Sequence, residues 1–230
     1  MAYRNPMLYH AASSYYSMVA RYALVLSGIE YQSHLLDIHK KREQLKDWYV
    51  VINPAMTVPA LQVGDQVLGS STEIVQYAVA HRPEKWFEST ASPEQQAHIT
   101  DLVHLHENFE VERLSFNAFM QKLPPLRLLF PHLLRKICKQ LSEQIKQGAG
   151  DLDALKAKLA LNQSRLEYFT GAPLGVRQSE QLNLAQALVN AFGEAPAGQW
   201  LCGDKPSHAD VVLAVFLARL KMVGLLDQVQ

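Results

Sequence analysis

The sequence predicts an α/β domain followed by an all-helical one. Two observations carry this. Short strand-like runs alternate with helical periodicity up to about residue 81, in the order βαβαββα. Beyond residue 93 no strand-like alternation recurs, and the apolar residues keep helical spacing. A third observation bounds the size: 230 residues, 48% hydrophobic and 19% charged, suffice for two modest domains with real cores.

Met7-Leu8-Tyr9-His10 is a short apolar run and reads as the first strand. From Tyr15 to Ser27 the pattern turns helical, with Met18, Tyr22, Val25 and Leu26 at spacings of three and four. Ser13 or Ser14 can cap this helix, and Gly28 stops it. Ile29 to Ile38 reads as a second strand. Lys40 to Trp48 reads as a short or irregular helix, closed by Asn53-Pro54. Thr57 to Val63 is a third strand, Gly64-Asp65 a turn and Gln66 to Leu68 a returning strand. Ser71 to Ala80 is helical, with Ile74, Val75 and Ala78 on one face.

Residues 82–92 are polar and read as an interdomain linker, which sets the domains at 1–81 and 93–230. Pro93 to Met120 reads as one long helix, ended by Pro124-Pro125. Helices follow at Leu133 to Gln147, Asp151 to Phe169, Glu180 to Phe192 and Ser207 to Val223, with a loop at Gly171 to Gly175.

Composition excludes several classes. Twenty-two basic and 22 acidic side chains balance to zero, which argues against nonspecific nucleic-acid binding. The two cysteines, Cys138 and Cys202, form no CxxC pair and read as reduced thiols. The polar N-terminus with Pro6 is not a signal peptide, and no apolar run reaches membrane-spanning length. The expectation is a soluble cytoplasmic protein. His98, His104 and His106 invite a metal reading. His104 and His106 point to different faces of a helix, however, and no HExxH framework accompanies them, so no metal is expected.

Three segments can carry chemistry. Ser13-Ser14-Tyr15-Tyr16-Ser17 opens the first helix. A thiol placed at a helix N-terminus ionises more easily, and a serine hydroxyl there can donate to the sulfur. The same serines also serve simply as caps. In Thr57-Val58-Pro59-Ala60 a proline sits in a strand-like run. Either it is a trans edge proline, or a cis bond leaves the preceding backbone free to pair with an extended peptide. In Gly69-Ser70-Ser71-Thr72-Glu73, Ser71 can cap the next helix or hold a carboxylate.

Together, LYHAASSYYSMVARYAL, NPAMTVPAL and LGSSTEIVQYA resemble the glutathione-binding domain of cytosolic glutathione transferases. The nearest likeness is the zeta-like branch of maleylacetoacetate isomerases and tetrachlorohydroquinone dehalogenases. LCGDKPSHADVVLAVFLARLKMVG resembles the buried helix of the family's second domain, opened by Ser207 and Asp210 as a capping-box variant. The resemblance implies a thioredoxin-like first domain, a helical-bundle second domain, a homodimer, and glutathione as cosubstrate for a small electrophile. It implies that Ser14 contacts the glutathione sulfur, that Val58 pairs with the cysteinyl part before cis-Pro59, and that Ser71, with Ser70 beside it, holds the γ-glutamyl carboxylate. Lys40 or Lys41 would reach the glycyl carboxylate. Tyr15, Phe109, Glu112 and Phe116 are the candidate electrophile-pocket walls, the last three at helical spacing.

Departures from the pattern matter. Tyr16 stands where the branch's dehalogenases carry a resolving cysteine, and Ser70 replaces a common acid or amide. Tyr9 and Tyr16 are alternative phenols for the sulfur. Relatives continue into another helix, so a chain ending at Gln230 is expected to be truncated or naturally short. The resemblance implies conjugation of glutathione to an electrophile. Glutathione-dependent isomerisation of maleyl-type substrates, or a noncatalytic interaction module, are the alternatives.

Overall fold

The computed structural model describes residues 5–148, 150–194 and 199–229; the first four residues of the polar N-terminus and Gln230 lie outside the described residues. The predicted order βαβαββα is found. Strands β1 (Met7–His10), β2 (Gln32–Leu35), β3 (Ala60–Val63) and β4 (Gln66–Leu68) form one sheet in the order β2-β1-β3-β4. β1 runs parallel to β2, with Met7 opposite Gln32, and antiparallel to β3, with Leu8 opposite Leu61. β4 closes the edge as a hairpin around Gly64, whose φ of 60° suits glycine.

Strand side chains alternate between faces, and the sheet uses both. Leu8 and Leu61 point to one face, where they pack with Ala20 and Leu24 of α1 (Tyr15–Leu26) and Ile74 of α3 (Ser71–His81). Tyr9 and Ala60 point to the other, against Tyr49 of the short helix α2 (Asp47–Val50). β2 is shorter than the expected 29–38, and all four of its residues are exposed at the sheet edge. β3 begins at Ala60 rather than Thr57, because residues 57–59 leave the ladder at a cis Val58–Pro59 bond.

The C-terminal half is helical: α4 (Pro93–Asn108), α5 (Val111–Lys122), α6 (Leu126–Lys146), α7 (Leu152–Gly171), α8 (Leu174–Gly193) and α9 (His208–Val223). The single helix expected over 93–120 is two. Phe109 leaves the helix with an extended backbone, and its ring packs edge-on against Phe216 of α9, centroids 5.4 Å apart. No proline or glycine marks this break; core packing makes it. α6 starts seven residues before the expected Leu133 and contains Pro131. α8 starts six before the expected Glu180, directly after Pro173.

Residues 82–92 are no free linker. Trp86 and Phe87 are buried, the Trp86 indole N–H donates to Ser27 Oγ at 3.0 Å, and Phe87 N–H donates to Pro206 O at 3.0 Å. These two rings belong to one core that also takes in Tyr15, Val19 and Ala23 of α1 and Val212, Val215 and Phe216 of α9. α9 sits at its centre, opened by the expected capping box of Ser207 and Asp210.

Candidate active site

At the junction of the two halves lies a cavity of about 270 Å³. One wall is the 57–59 loop and the start of α3; the other is α1, the end of α4 and the start of α9. Four predicted residues come together here: Val58, Pro59, Ser70 and Ser71. Among the described residues, no hydrogen bond from the chain reaches the Val58 backbone. The neighbouring loops are stitched by Asn53, whose amide donates to Thr57 O (3.0 Å) and Gly69 O (3.3 Å), while the Tyr49 hydroxyl donates to Thr57 O at 2.5 Å. A side chain at Gly69 would crowd Asn53, with a Cβ 3.3 Å from its Oδ1.

The start of α3 corrects one expectation. Ser70, not Ser71, is the N-cap: its Oγ accepts from Glu73 N–H at 3.2 Å, and Glu73 accepts from Gly69 N–H (2.7 Å) and Ser70 N–H (3.1 Å). Ser71 is therefore released from capping and lies buried on the cavity wall.

Ser14 caps α1, its Oγ accepting from Ser17 N–H at 3.3 Å, and it does not line the cavity. Tyr16, two residues further, does; burial, helped by the Glu112 carboxylate, pushes its phenol up to about 12. Tyr15 points into the core instead. Its hydroxyl lies 2.6 Å from His106 Nε2 and 3.3 Å from Val212 O, and burial raises it well above the usual phenol range. The Tyr9 hydroxyl donates to Gln62 on the sheet.

The other expected pocket walls lie elsewhere. Phe109 is core, packed on Phe216. Phe116 stacks on Phe130, centroids 4.0 Å apart, and Glu112 pairs with Arg165. None of these four lines the cavity: Tyr15 and Phe109 are drawn into the shared core, and Glu112 and Phe116 lie on α5 beyond the break at Phe109. Lys40 is exposed, its backbone N–H held by Asp37 at 2.8 Å, and Lys41 is exposed beside Glu43; neither lines the cavity.

Thr57 and Thr72 join the first wall, and the facing wall brings residues to which the sequence assigned no place in this site: Glu107 and above all His106 and His208. Burial holds both imidazoles down to about 4, so both are neutral at pH 7. His106 Nδ1 is buried without a partner. The Tyr15 hydroxyl and His106 Nε2 share one hydrogen bond, whose donor is set by the imidazole tautomer. Thr72 donates to Glu107 across the rim. No Lys or Arg lines the cavity among the described residues.

No helix is long and apolar enough to cross a membrane among the described residues. Residues 8–86 match the model of the glutathione S-transferase N-terminal domain, and residues 139–228 that of the C-terminal domain. No curated protein matches in sequence. Among solved structures, the beta-etherase LigF from Sphingobium sp. strain SYK-6 is similar at a TM-score of 0.68 and 18% identity, over 99% of this chain and 88% of that one. A glutathione S-transferase-I bound with lactoylglutathione is similar at 0.57 and 20%, over 98% and 89%. The glutathione S-transferase of Xylella fastidiosa is similar at 0.56 and 21%, over 96% and 84%. These likenesses agree in fold, and the two domain models, one on each half, give the conclusion: the chain belongs to the glutathione S-transferase superfamily.

Proposed function

We propose that the chain is a glutathione transferase that joins the glutathione thiolate to a small electrophile. The observation that carries this reading is the cavity itself. It gathers the unpartnered Val58 backbone, cis-Pro59 and the uncapped Ser71 on one wall, next to the N-terminal turn of α1. An extended tripeptide would pair with Val58. Its γ-glutamyl carboxylate would lie at the start of α3, where Ser71 and helix N–H groups attract an anion. Its sulfur would then face the positive end of α1. Ser14 Oγ already accepts from Ser17 N–H, so its own hydrogen is left to donate to a thiolate. Positioning and thiolate stabilisation are then the protein's contribution, and the thiol proton leaves to solvent. The sulfur attacks the electrophile held toward His106 and His208, and as the C–S bond forms the leaving group departs to solvent, chloride in the case of chlorodinitrobenzene.

Conjugation is favoured over isomerisation of maleyl-type substrates by the charge of the wall. Such substrates carry carboxylates, whereas this wall has neutral imidazoles, Glu107 and no cation among the described residues. The serine-rich segment at 13–17 supports a zeta-like placement. Family habit supports a cytoplasmic homodimer with its glutathione domain ending near residue 81 and its helical domain beginning near 93.

Tyr16 is a second reading for the sulfur's partner, favoured by its place on the cavity wall. Calorimetry with glutathione, followed by turnover of chlorodinitrobenzene and maleylacetone, tests both. Ser14→Ala is expected to lower kcat/KM about a hundredfold, with Tyr16→Phe nearly unchanged. The reverse pattern would transfer the role to Tyr16. Absence of glutathione binding at millimolar ligand would leave a noncatalytic module.

A further inference from the structure

Lys158 lies in α7, far along the chain from the glutathione loop, yet its Nζ donates to the Met56 carbonyl at 2.8 Å. Met56 has a φ of 54°, a left-handed conformation a methionine keeps only where its surroundings hold it. Those surroundings come from both halves of the molecule. Met56 and Leu45 pack with Leu141 of α6 and Leu155 of α7 in a small separate core. The α6–α7 hairpin thus closes over the loop that leads, two residues later, to Val58 on the cavity wall.

Successive carbonyls of that loop are pinned from opposite sides. Thr57 O is held by Tyr49 and Asn53 within the N-terminal domain, and Met56 O by Lys158 from the helical one. Lys158 is half-buried, which already costs an ammonium solvation, and among the described residues it forms no salt bridge that would offset this. Burial lowers it to about 8, with Arg165 adding to the effect and Glu112 opposing it. Its bonded partner is a backbone carbonyl of the loop, which is an expensive arrangement for packing alone.

We propose that Lys158 is a positioning residue: from the helical domain it fixes the Met56–Val58 backbone in the register that a peptide thiol pairs with. The proposal rests on the glutathione reading above, and its test separates the two. Amide hydrogen exchange of the full-length protein reads the loop directly, and calorimetry reads glutathione. Lys158→Met keeps the stem and removes the donor. It is expected to speed exchange at residues 56–58 and to raise the glutathione dissociation constant and KM about tenfold, with kcat within about twofold. Lys158→Arg, which restores a donor, is expected to recover most of the affinity, and Lys158→Ala, which also lacks the donor, stands in should the methionine variant fail to fold. Unchanged exchange at 56–58, or faster exchange with unchanged glutathione affinity, would overturn the proposal. A wild-type protein that binds no glutathione would sink the glutathione reading instead, while the exchange data would still decide whether Lys158 orders the loop.

Discussion

His106 and His208 share one condition: each is a buried imidazole whose pKa burial lowers to about 4. In the unfolded chain each titrates near its ordinary value of about 6.5. Because the folded value is the lower one, the unfolded chain takes up the proton first as pH falls. Stability is therefore fully present above about pH 6.5 and is lost on descent toward pH 4. At pH 5 the loss amounts to about 2 kcal/mol for each imidazole. Urea unfolding at pH 7 and pH 5 should show this as a large drop in midpoint. His106→Phe should roughly halve the pH dependence, since one of the two protons disappears; an unaltered slope would place the proton uptake elsewhere. Neither histidine announced this role in the sequence. His106 stood among three histidines without a ligand framework, and His208 looked like the first residue of a capped helix. Their shared place on the cavity wall comes from folding, which brings positions 106 and 208 to the same cavity as Tyr16. Val58, Pro59, Ser70 and Ser71 were legible because their chemistry is local: a proline in a strand and serines at a helix start.

At the scale of elements, the start of α9 is held by several buried hydrogen bonds. Asp210 accepts from Leu201 N–H at 2.8 Å with one oxygen, and from Ser207 N–H (2.9 Å) and Ser207 Oγ (2.6 Å) with the other. Glu88 adds an acceptor for His208 N–H at 2.6 Å. All of this is buried or nearly so, where a lost acceptor leaves donors stranded. Asp210→Ala is thus expected to cost roughly 3 kcal/mol, and Ser207→Ala about 1 to 2, in urea unfolding. Equal and small losses would mean that the box acts only as an exposed cap. This element was readable from Ser207 and Asp210 because capping is a rule of spacing. The strands and α1 were readable for the same reason. The division of 93–120 was not, since the force that breaks it is the contact of Phe109 with a ring more than a hundred residues away. The early starts of α6 and α8 were hidden by prolines. Pro125 and Pro173 immediately precede these helices, where a missing N–H costs nothing, although Pro124-Pro125 reads as a helix break and 171–175 as a loop in the sequence.

At the scale of the whole molecule, the boundary between the domains is not a boundary in the core. α1 supplies Tyr15, Val19 and Ala23, and α3 supplies Val75 and Ala78, to the same cluster as Trp86 and the buried face of α9. Polar contacts run the same way: Tyr15 reaches His106 and Val212, and Arg219 donates to Ser13 O at 2.8 Å. A thioredoxin-like sheet with α1 stripped of these partners would expose Tyr15 and Val19 to water. The two domains should therefore unfold together. Trp86→Ala makes this a sharp test, because Trp86 lies in the segment joining them and is fully buried. The truncation should cost roughly 3 to 5 kcal/mol. It should not separate the domains, since the α1–α9 contacts survive it. With Trp200→Phe added to that variant, the fluorescence of Trp48, on α2, follows the N-terminal domain, and far-UV ellipticity is dominated by the helices of the C-terminal one. Both signals should fall in one coincident urea transition at a lowered midpoint. Two resolved transitions would show that each domain holds itself, and that the shared core is a contact between finished units.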